Sequence, residues 1–331
     1  MILVITNKQD AHPTPVIEYL NEKQYPVFRL NTEALLTDYR FSWWADNTGT
    51  DFYLKNIRNG MELYGHDITA VWERRPMHPA EMVIRHEEEA VNQHNLKEAS
   101  GFLSFLLHYV SCYPCIGHHL YDRSAASKMS QLRLAQELGM TIPPTCFSNE
   151  KRAIVSFAGP YEYVALKPIE NDNVWLGNEK EYVFFVRKVQ SSLLAELPEE
   201  VFTQTVSYVQ AYIDKQFEVR VTVVGNKVFA CKIDSQRMDE ATGKIDWRQG
   251  YEHGLRHEVC ELPDDITAFC HTFLQHMHLN FGCFDFIVTP KGAYVFLECN
   301  PNGQWLWIEQ ETELPISEAI AEWLSTRTDG N

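Results

Sequence analysis

The chain has 331 residues, of which 45% are hydrophobic and 22% are charged. This composition is typical of a globular protein, and the length is sufficient for two or three domains with substantial cores. The formal net charge of −16 argues against sequence-independent binding to nucleic acid and against adhesion to anionic membranes. An anionic ligand must therefore be bound by a local cluster of Lys and Arg side chains.

The sequence also bears on membranes and disulfides. No apolar run approaches the ~20 residues needed to span a bilayer. Residues 1–6 have the pattern of a buried strand without a basic leader, so we expect no signal peptide and a cytoplasmic location. The eight cysteines are spread through the chain and are not spaced as a disulfide framework. The single CxxC, Cys112 and Cys115, is interpreted as ordinary buried or loop cysteines.

Residues 1–70 alternate between strand and helix patterns, which predicts a small open α/β domain. Acidic and apolar residues at helical spacing over 80–110 predict helices that pack on this domain. The sequence over 113–117 interrupts the pattern, so we expect a first domain over residues 1–116. Strands are predicted at 1–6, 26–30, 41–45, 51–54 and 69–73, with a helix at 15–24.

Two further units are expected, over residues 117–205 and 206–331. The second begins with a predicted helix over 122–138, capped by Asp122 or Ser124 and ended at Gly139. The third is rich in strands, so the fold class is predicted to be α/β with α+β elements. The remaining predicted elements are strands at 163–167, 182–187, 207–213, 218–224 and 227–234, a helix at 266–277, a hairpin over 284–300 and a closing helix at 316–324.

The hairpin carries two carboxylates. If Lys291 and Gly292 form its tip, Asp285 lies opposite Glu298, and Asn300 lies on the same face of the sheet. Cross-strand neighbours have Cβ atoms ~4.5–5.5 Å apart, where like charges repel unless a cation separates them. Oxygen ligands of this kind suit Mg²⁺. The alternative, two exposed carboxylates on a solvated sheet, is disfavoured by the apolar residues around them.

Positively charged and extended segments upstream complete a candidate nucleotide site. Lys128 in the helix and Lys167 at a strand end are suited to hold phosphates as point charges, although each alone is more often a surface lysine. The segment Gln210-Ala211-Tyr212-Ile213 offers backbone groups to an adenine edge, or is simply a core strand. Glu218 is a candidate for the ribose hydroxyls and Arg220 for a phosphate. An exposed ion pair is the alternative for these two.

The order of these parts resembles the ATP-grasp superfamily over roughly residues 118–325, with residues 1–116 as the domain that usually precedes it. Within the superfamily, the chain most resembles the microviridin-type (graspetide) peptide ligases. The similar segments are 2–6, 71–76, 218–225 and Asp246-Trp247-Arg248. Such enzymes cross-link side chains of a ribosomally made precursor peptide, and they are similar in turn to ribosomal-protein glutamate ligases.

The resemblance implies a chemistry. ATP converts an Asp or Glu side chain of the peptide into an acyl phosphate, and a Thr or Ser hydroxyl or a Lys amine then forms an ω-ester or ω-amide macrocycle. Two Mg²⁺ ions on Asp285, Glu298 and Asn300 are implied. Candidates for the γ-phosphate and acyl-phosphate oxygens are Arg220, Lys232 and Arg248. D-alanine–D-alanine ligases carry an arginine where this chain has Cys283, so the resemblance leaves the oxyanion-stabilising arginine open.

Three residues are candidates for contact with the peptide itself. Arg74 and Arg75 are candidates for binding acidic side chains, with a solvated strand end as the alternative. Asp172 lies in a stretch, 171–177, that is expected to form a loop over the phosphates and to exclude water. The resemblance implies a precursor peptide with leader and core as the partner, and a homodimer. No nucleic-acid or membrane partner is expected.

Two other functions remain open at this level. One is an ATP-dependent amino-acid ligase of the ribosomal-protein glutamate ligase type. The other is a nucleotide-binding module without catalysis, which the intact carboxylate pair disfavours, because a pure binder does not need opposed metal ligands.

Overall fold

The computed structural model of the protein describes residues 1–170, 174–176, 180–238 and 241–327. Within these residues the strands form five sheets, and helices pack against the larger ones. The predicted α/β class is therefore confirmed. In the same ranges, no helix has both the length and the apolar character that crossing a membrane requires.

A parallel sheet organises the first unit, with the strand order β2-β1-β6-β7. Its central strand β1 is buried at every position, as expected for a parallel strand covered on both faces. Strands β3, β4 and β5 form a separate antiparallel sheet. The elements are β1 (Ile2–Thr6), α1 (Pro13–Glu22), β2 (Val27–Asn31), a 3₁₀ turn (Thr32–Ala34), α2 (Leu35–Asp38), β3 (Tyr39–Asp46), β4 (Gly49–Asn56), β5 (Glu62–Tyr64), a 3₁₀ turn (Gly65–Asp67), β6 (Ala70–Glu73), α3 (Glu89–Val110) and β7 (Cys115–Ile116).

The predicted helical stretch over 80–110 is wrong in its first part, because α3 begins only at Glu89. The backbone N–H groups of Ala80 and Glu81 both donate to the carbonyl of Glu33, at 3.0 Å. These donors bind the 3₁₀ turn that follows β2 instead of forming a helical turn. Pro79 precedes them and cannot donate at all.

The second unit contains an antiparallel sheet with the order β12-β9-β13-β8. Strand β13 was predicted to open the third unit, but it pairs with β9 and β8, so the change between sheets comes after it. The elements are α4 (His119–Ala125), α5 (Lys128–Glu137), β8 (Thr145–Ser148), α6 (Lys151–Ala158), β9 (Tyr163–Lys167), β10 (Val174–Leu176), β11 (Lys180–Tyr182), β12 (Arg187–Gln190), α7 (Ser191–Glu196), α8 (Glu199–Thr203) and β13 (Ser207–Ala211).

Two element predictions in this unit are wrong. The single helix over 122–138 is two helices, and the N-cap of the second is Ser127, whose hydroxyl accepts the Ser130 N–H at 3.4 Å. The predicted strand over 182–187 is also divided, since β11 ends at Tyr182 and β12 begins at Arg187. In both cases the apolar pattern of the sequence continues across a point where the helix or strand is interrupted.

The third unit is built on a five-stranded antiparallel sheet with the order β16-β15-β14-β17-β18. One face is packed by α10 through a cluster of phenylalanine rings. The elements are β14 (Phe217–Val224), β15 (Lys227–Ile233), a 3₁₀ turn (Ser235–Arg237), α9 (Ala241–Ile245), a 3₁₀ helix (Trp247–His253), β16 (His257–Val259), α10 (Asp264–His276), β17 (Phe281–Val288), β18 (Tyr294–Asn300), α11 (Leu306–Thr312) and α12 (Ile316–Ser325).

The hairpin of β17 and β18 pairs Asp285 with Glu298, as predicted. The predicted tip, however, is displaced by one residue, because Phe286 pairs with Phe296 on the side of the turn. Leu297 is the extra residue of a β-bulge that restores the pairing of the carboxylates. Without this bulge, the regular ladder would place Leu297 opposite Asp285 and would turn Glu298 to the other face.

Candidate active site

A cavity of about 850 Å³ lies where α5, β9 and β13 of the second unit approach β14, β17 and β18 of the third. Most of the residues singled out from the sequence line it, although they come from distant parts of the chain. They are Arg75, Lys128, Lys167, Gln210, Ala211, Tyr212, Ile213, Glu218, Arg220, Arg248, Asp285, Glu298 and Asn300.

The two hairpin carboxylates form the centre of the cavity and are held by separate cations. Arg220 donates to Asp285 at 2.7 Å, and Lys128 donates to Glu298 at 2.5 Å. The amide of Asn300 lies 3.4 Å from one oxygen of each carboxylate. The adjacent strand β14 presents Arg220 directly opposite Asp285, which explains the first of these pairs.

Burial and charge act differently on the two carboxylates. Burial raises the pKa of Asp285, and the nearby charge of Glu298 adds to the effect, while Arg220 opposes it. Burial also acts to raise the pKa of Glu298, but Lys128 and Lys167 outweigh it and hold this pKa below its ordinary value. Two carboxyl groups on paired residues cannot both ionise without a cost in free energy. A divalent cation bound by both would remove that cost.

The donor set fits a hard cation that also binds phosphates. In the described parts of the chain, no group of three His, Cys, Asp or Glu side chains could hold a metal ion. The candidate site has two carboxylates and one amide instead. Mg²⁺ is commonly held by one or two carboxylates together with substrate phosphates, so this smaller set is chemically suitable.

The two lysines occupy neighbouring sides of the cavity. Lys167 ends β9, and its ammonium group donates to the side-chain oxygen of Gln210 at 3.2 Å. Burial lowers the pKa of Lys167, with the ammonium group of Lys128 acting in the same direction and Glu298 opposing. An anionic phosphate beside these lysines would favour their charged forms.

The predicted adenine segment lines the cavity, but part of its backbone is already occupied. The N–H of Ala211 donates to the carbonyl of Pro144 at 2.9 Å, and the N–H of Tyr212 donates to the carbonyl of Tyr163 at 3.2 Å. These two groups are therefore not free for a base. The ring of Tyr212 is covered by the ammonium group of Lys188, 3.9 Å from the ring centre.

Glu218 is buried and already has two partners within the protein. Lys215 donates to one carboxylate oxygen, and the hydroxyl of Ser235 donates to the other. Burial raises the pKa of Glu218, against the lowering effect of Lys215. Each carboxylate oxygen can accept a second hydrogen bond, so the predicted ribose contact stays chemically feasible. Lys215 and Ser235 were missed, because neither belongs to a recognisable local motif.

Arg248 is oriented by a buried carboxylate that the sequence analysis did not assign a role. Asp246 accepts from Arg248 Nε at 2.8 Å and Nη2 at 2.5 Å, a two-pronged contact. The same carboxylate accepts the N–H of Val186 at 3.1 Å. Asp246 therefore ties Arg248 to the segment between β11 and β12. The pairing of an acid and an arginine in Asp246-Trp247-Arg248 was the available signal.

Lys232 was predicted as a catalytic candidate, but the structure places it on the wrong face. It pairs with Val219 in the ladder, whereas its neighbour Cys231 pairs with Arg220. Because side chains alternate along a strand, Lys232 points away from the cavity and bonds to Glu258 at 3.1 Å. The prediction failed because it required the register of β15, which the local sequence does not reveal.

The remaining predicted residues belong to the first unit or lie outside the described ranges. Arg74 is 1% exposed and is paired with Asp10, so its guanidinium is not accessible to acidic side chains of a peptide. Arg75 is exposed and lines the cavity, and its φ of 49° lies in the left-handed region. Asp172 lies outside the described residues.

Two lysines, an opposed carboxylate pair and an extended segment are gathered between two antiparallel sheets, and this arrangement is typical of an ATP-grasp enzyme. Comparisons with known proteins agree. Residues 1–118 match the MvdD pre-ATP grasp domain, and residues 127–324 match the RimK-like ATP-grasp domain. The protein belongs to the RimK-like ATP-grasp family and is an ATP-grasp ligase.

Solved structures of similar fold cover nearly the whole chain. A RiPP-associated ATP-grasp ligase of Chryseobacterium gregarium, in complex with ADP and a leader and core peptide, is 26% identical, with a TM-score of 0.85 over 98% of this chain and 96% of that one. The macrocyclase MdnC of Microcystis aeruginosa, bound with precursor peptide MdnA, is 26% identical, with a TM-score of 0.83 over 98% and 99%. The macrocyclase MdnB of the same organism is 27% identical, with a TM-score of 0.75 over 98% of both chains. Among curated proteins, none matches the sequence with significance.

Proposed function

We propose that this ligase activates Asp or Glu side chains of a ribosomally made precursor peptide as acyl phosphates and joins them to Thr or Ser hydroxyls, or to Lys amines, as macrocycles. The observation that carries the proposal is the similarity of the whole chain, at 26% identity, to a ligase bound to ADP, a leader and a core peptide. The cavity has the groups that such a reaction needs.

The first step is phosphoryl transfer. A carboxylate oxygen of the peptide attacks the γ-phosphorus of ATP, the bond to the β–γ bridging oxygen breaks, and ADP leaves. Lys128, Lys167 and Arg248 line the cavity, and the two lysines would hold phosphate oxygens. Asp285, Glu298 and Asn300 would hold Mg²⁺, which would neutralise the phosphate charge when bound.

The second step is acyl transfer. The hydroxyl or amine of the peptide attacks the acyl carbon and loses its proton, and phosphate leaves as the ester or amide forms. The oxyanion of this step needs a fixed cation. Arg220 is locked against Asp285, and Arg248 against Asp246, so both guanidinium groups are held in defined orientations. We assign the oxyanion to Arg248, because Arg220 already neutralises a metal-binding carboxylate.

Several finer points are part of the same proposal. We propose two Mg²⁺ ions per site, contacts of Arg75 and Asp172 with the substrate peptide, a homodimer and a cytoplasmic location. The dimer is expected from the resemblance, and light scattering of the purified enzyme measures it directly. The exposed position of Arg75 at the cavity supports its contact with an acidic peptide side chain.

The test is mass spectrometry of a co-encoded precursor peptide incubated with enzyme, ATP and Mg²⁺. We expect the peptide to lose one water for each link that forms. A gain in mass would instead favour an amino-acid ligase, the alternative that the match to the RimK-like domain leaves open. ADP release without any change in the peptide, across the short Thr-, Ser-, Asp-, Glu- or Lys-rich peptides encoded nearby, would contradict the proposal.

A further inference from the structure

The loop that follows Asn300, residues 301–305, is held by the first unit of the protein and not only by its own sheet. We call it the ligand loop, because it begins immediately after the candidate metal ligand. Arg74, which follows β6, donates from Nη1 to the carbonyls of Asn302 and Gly303, both at 2.8 Å. One guanidinium nitrogen thus binds two consecutive carbonyls of the loop.

A buried carboxylate and a histidine complete the contact. Arg74 Nε donates to Asp10 at 2.9 Å, and the other oxygen of Asp10 lies 2.7 Å from His12 Nδ1. The N–H of Trp305 donates to His12 Nε2 at 3.3 Å, and the two rings meet edge to face with centres 5.0 Å apart. The first unit therefore forms hydrogen bonds with Asn302, Gly303 and Trp305 of the ligand loop.

Burying the charged side chain of Arg74 costs free energy, which indicates that its contacts with the ligand loop have a role beyond stability. Desolvation of a guanidinium is unfavourable, and an apolar replacement of similar size is often as stable as a buried ion pair. Arg74 is 1% exposed, and burial lowers its pKa, although Asp10 opposes the effect. Its planar fork reaches Asp10 and the loop carbonyls together, which the single ammonium group of a lysine cannot reproduce.

The ligand loop has little room to relax on its other side. Gly303 packs against β17 so closely that a Cβ atom there would lie 2.4 Å from Cys283 Cβ. Cys283 is the ladder partner of Asn300, and the N–H of Gly303 donates to the Asn300 carbonyl at 3.1 Å. A displacement of the loop would therefore move Asn300 relative to Asp285 and Glu298.

We propose that Arg74 is a positioning residue, which fixes the ligand loop and thereby holds Asn300 beside Asp285 and Glu298, the two carboxylates that would bind the cation with it. The inference rests on the proposed metal–nucleotide site and extends it to the first unit of the chain. It assigns to Arg74 a role in metal affinity in place of the peptide binding expected from the sequence.

The experiment measures binding and not only turnover. ADP is titrated calorimetrically into the full-length enzyme at increasing Mg²⁺ concentrations, and the midpoint of the Mg²⁺ effect is recorded. Arg74→Lys and Arg74→Gln should raise this midpoint about tenfold, since losing an outer partner of a metal ligand typically weakens metal binding 10–100-fold. ADP affinity without Mg²⁺ should stay within about twofold, because no nucleotide contact changes.

Leu54→Ala is the matched control for stability. Leu54 is fully buried in a core cluster of the first unit that contains no residue of the ligand loop. It should lower the melting temperature at least as much as the Arg74 variants, without changing the Mg²⁺ midpoint. An equal change of midpoint in Leu54→Ala, or a wild-type midpoint in both Arg74 variants, would overturn the inference. If Arg74→Gln does not fold, Arg74→Lys, which keeps charge and length, carries the test.

Asn300→Ala separates this inference from the proposed function. If ADP binding by the wild type is independent of Mg²⁺, the proposed metal–nucleotide site fails. If the wild type depends on Mg²⁺ and Asn300→Ala shifts the midpoint while the Arg74 variants do not, the site stands and only the role of Arg74 fails.

Discussion

The two faces of the C-terminal sheet are made by the same strands but have opposite chemistry. One face, under α10, carries Phe284 and Phe296, whose fully buried rings pack against Phe273 of that helix. The other face carries Arg220 and Asp285 into the cavity. Alternation along each strand separates the two, so the apolar face can secure the fold while the charged face stays free for chemistry.

The largest expected effect is on the charged face. Asp285→Asn or Glu298→Gln should reduce turnover by at least about 100-fold, because each replaces a charged carboxylate ligand by a neutral amide where phosphoryl transfer is stabilised. Nucleotide binding should remain measurable. Steady-state ADP release and ADP titration measure the two quantities, and full activity of both variants would refute the metal assignment.

The corresponding change on the apolar face should affect stability instead. Phe273→Ala removes a buried ring that packs on Phe284 and Phe296, and should lower the free energy of unfolding by about 3–5 kcal/mol. Urea unfolding measures this value, and Phe273→Leu should cost less. The turnover of the remaining folded enzyme should not change tenfold. A selective loss of turnover would show that the two faces are not separate.

Removing the carboxylate that orients Arg248 should have an intermediate effect. Asp246→Asn weakens the two-pronged contact while keeping the shape of the side chain. We expect turnover to fall by up to about 100-fold, since misplacing a catalytic group by an ångström can cost this much. Single-turnover kinetics with precursor peptide measures the loss. Arg248→Gln is the comparison variant. A much smaller effect of Arg248→Gln would contradict the inference that Asp246 acts through Arg248.

A pH effect should appear where the charged face meets the first unit. Burial lowers the pKa of His12, with Arg74 and Arg75 acting in the same direction and Asp10 opposing. Because the folded state disfavours protonation, the stability contribution is present above the ordinary pKa of 6.5 and is lost as the pH falls below it. Melting temperatures between pH 7.5 and 5.5 should therefore fall more in the wild type than in His12→Gln. Identical slopes would argue against burial of a neutral His12.

The smallest effect is expected from Lys232, which lies one residue from the ladder partner of Arg220 but on the opposite face. Lys232→Gln removes a partly exposed contact with Glu258 and should change stability by no more than about 0.5 kcal/mol. Turnover should remain within about twofold of the wild type. A large loss of turnover would mean that the faces are assigned incorrectly.

Much of the fold was predictable because it depends on local pattern. The apolar runs of β1, β14 and β17 and the turn chemistry between β17 and β18 indicated the strands and the pairing of Asp285 with Glu298. The bulge at Leu297 was not visible, since one extra residue in a strand leaves no mark in the apolar pattern. The breaks within 122–138 and 182–187 were missed for a similar reason, because apolar periodicity continues across them.

The chemistry of the site follows from residue types and their order, and the sequence alone determined that phosphates and a divalent cation are the ligands to expect. It did not determine which charged side chains reach the cavity. Lys232 and Arg74 were excluded, and Asp246 and Lys215 were added, by contacts between residues far apart in the chain. Strand register and burial decide such contacts, and both arise only when the sheets pack together. The hydrogen bonds from Arg74 to the ligand loop are the clearest case, since they join the first unit to the loop that follows the last strand.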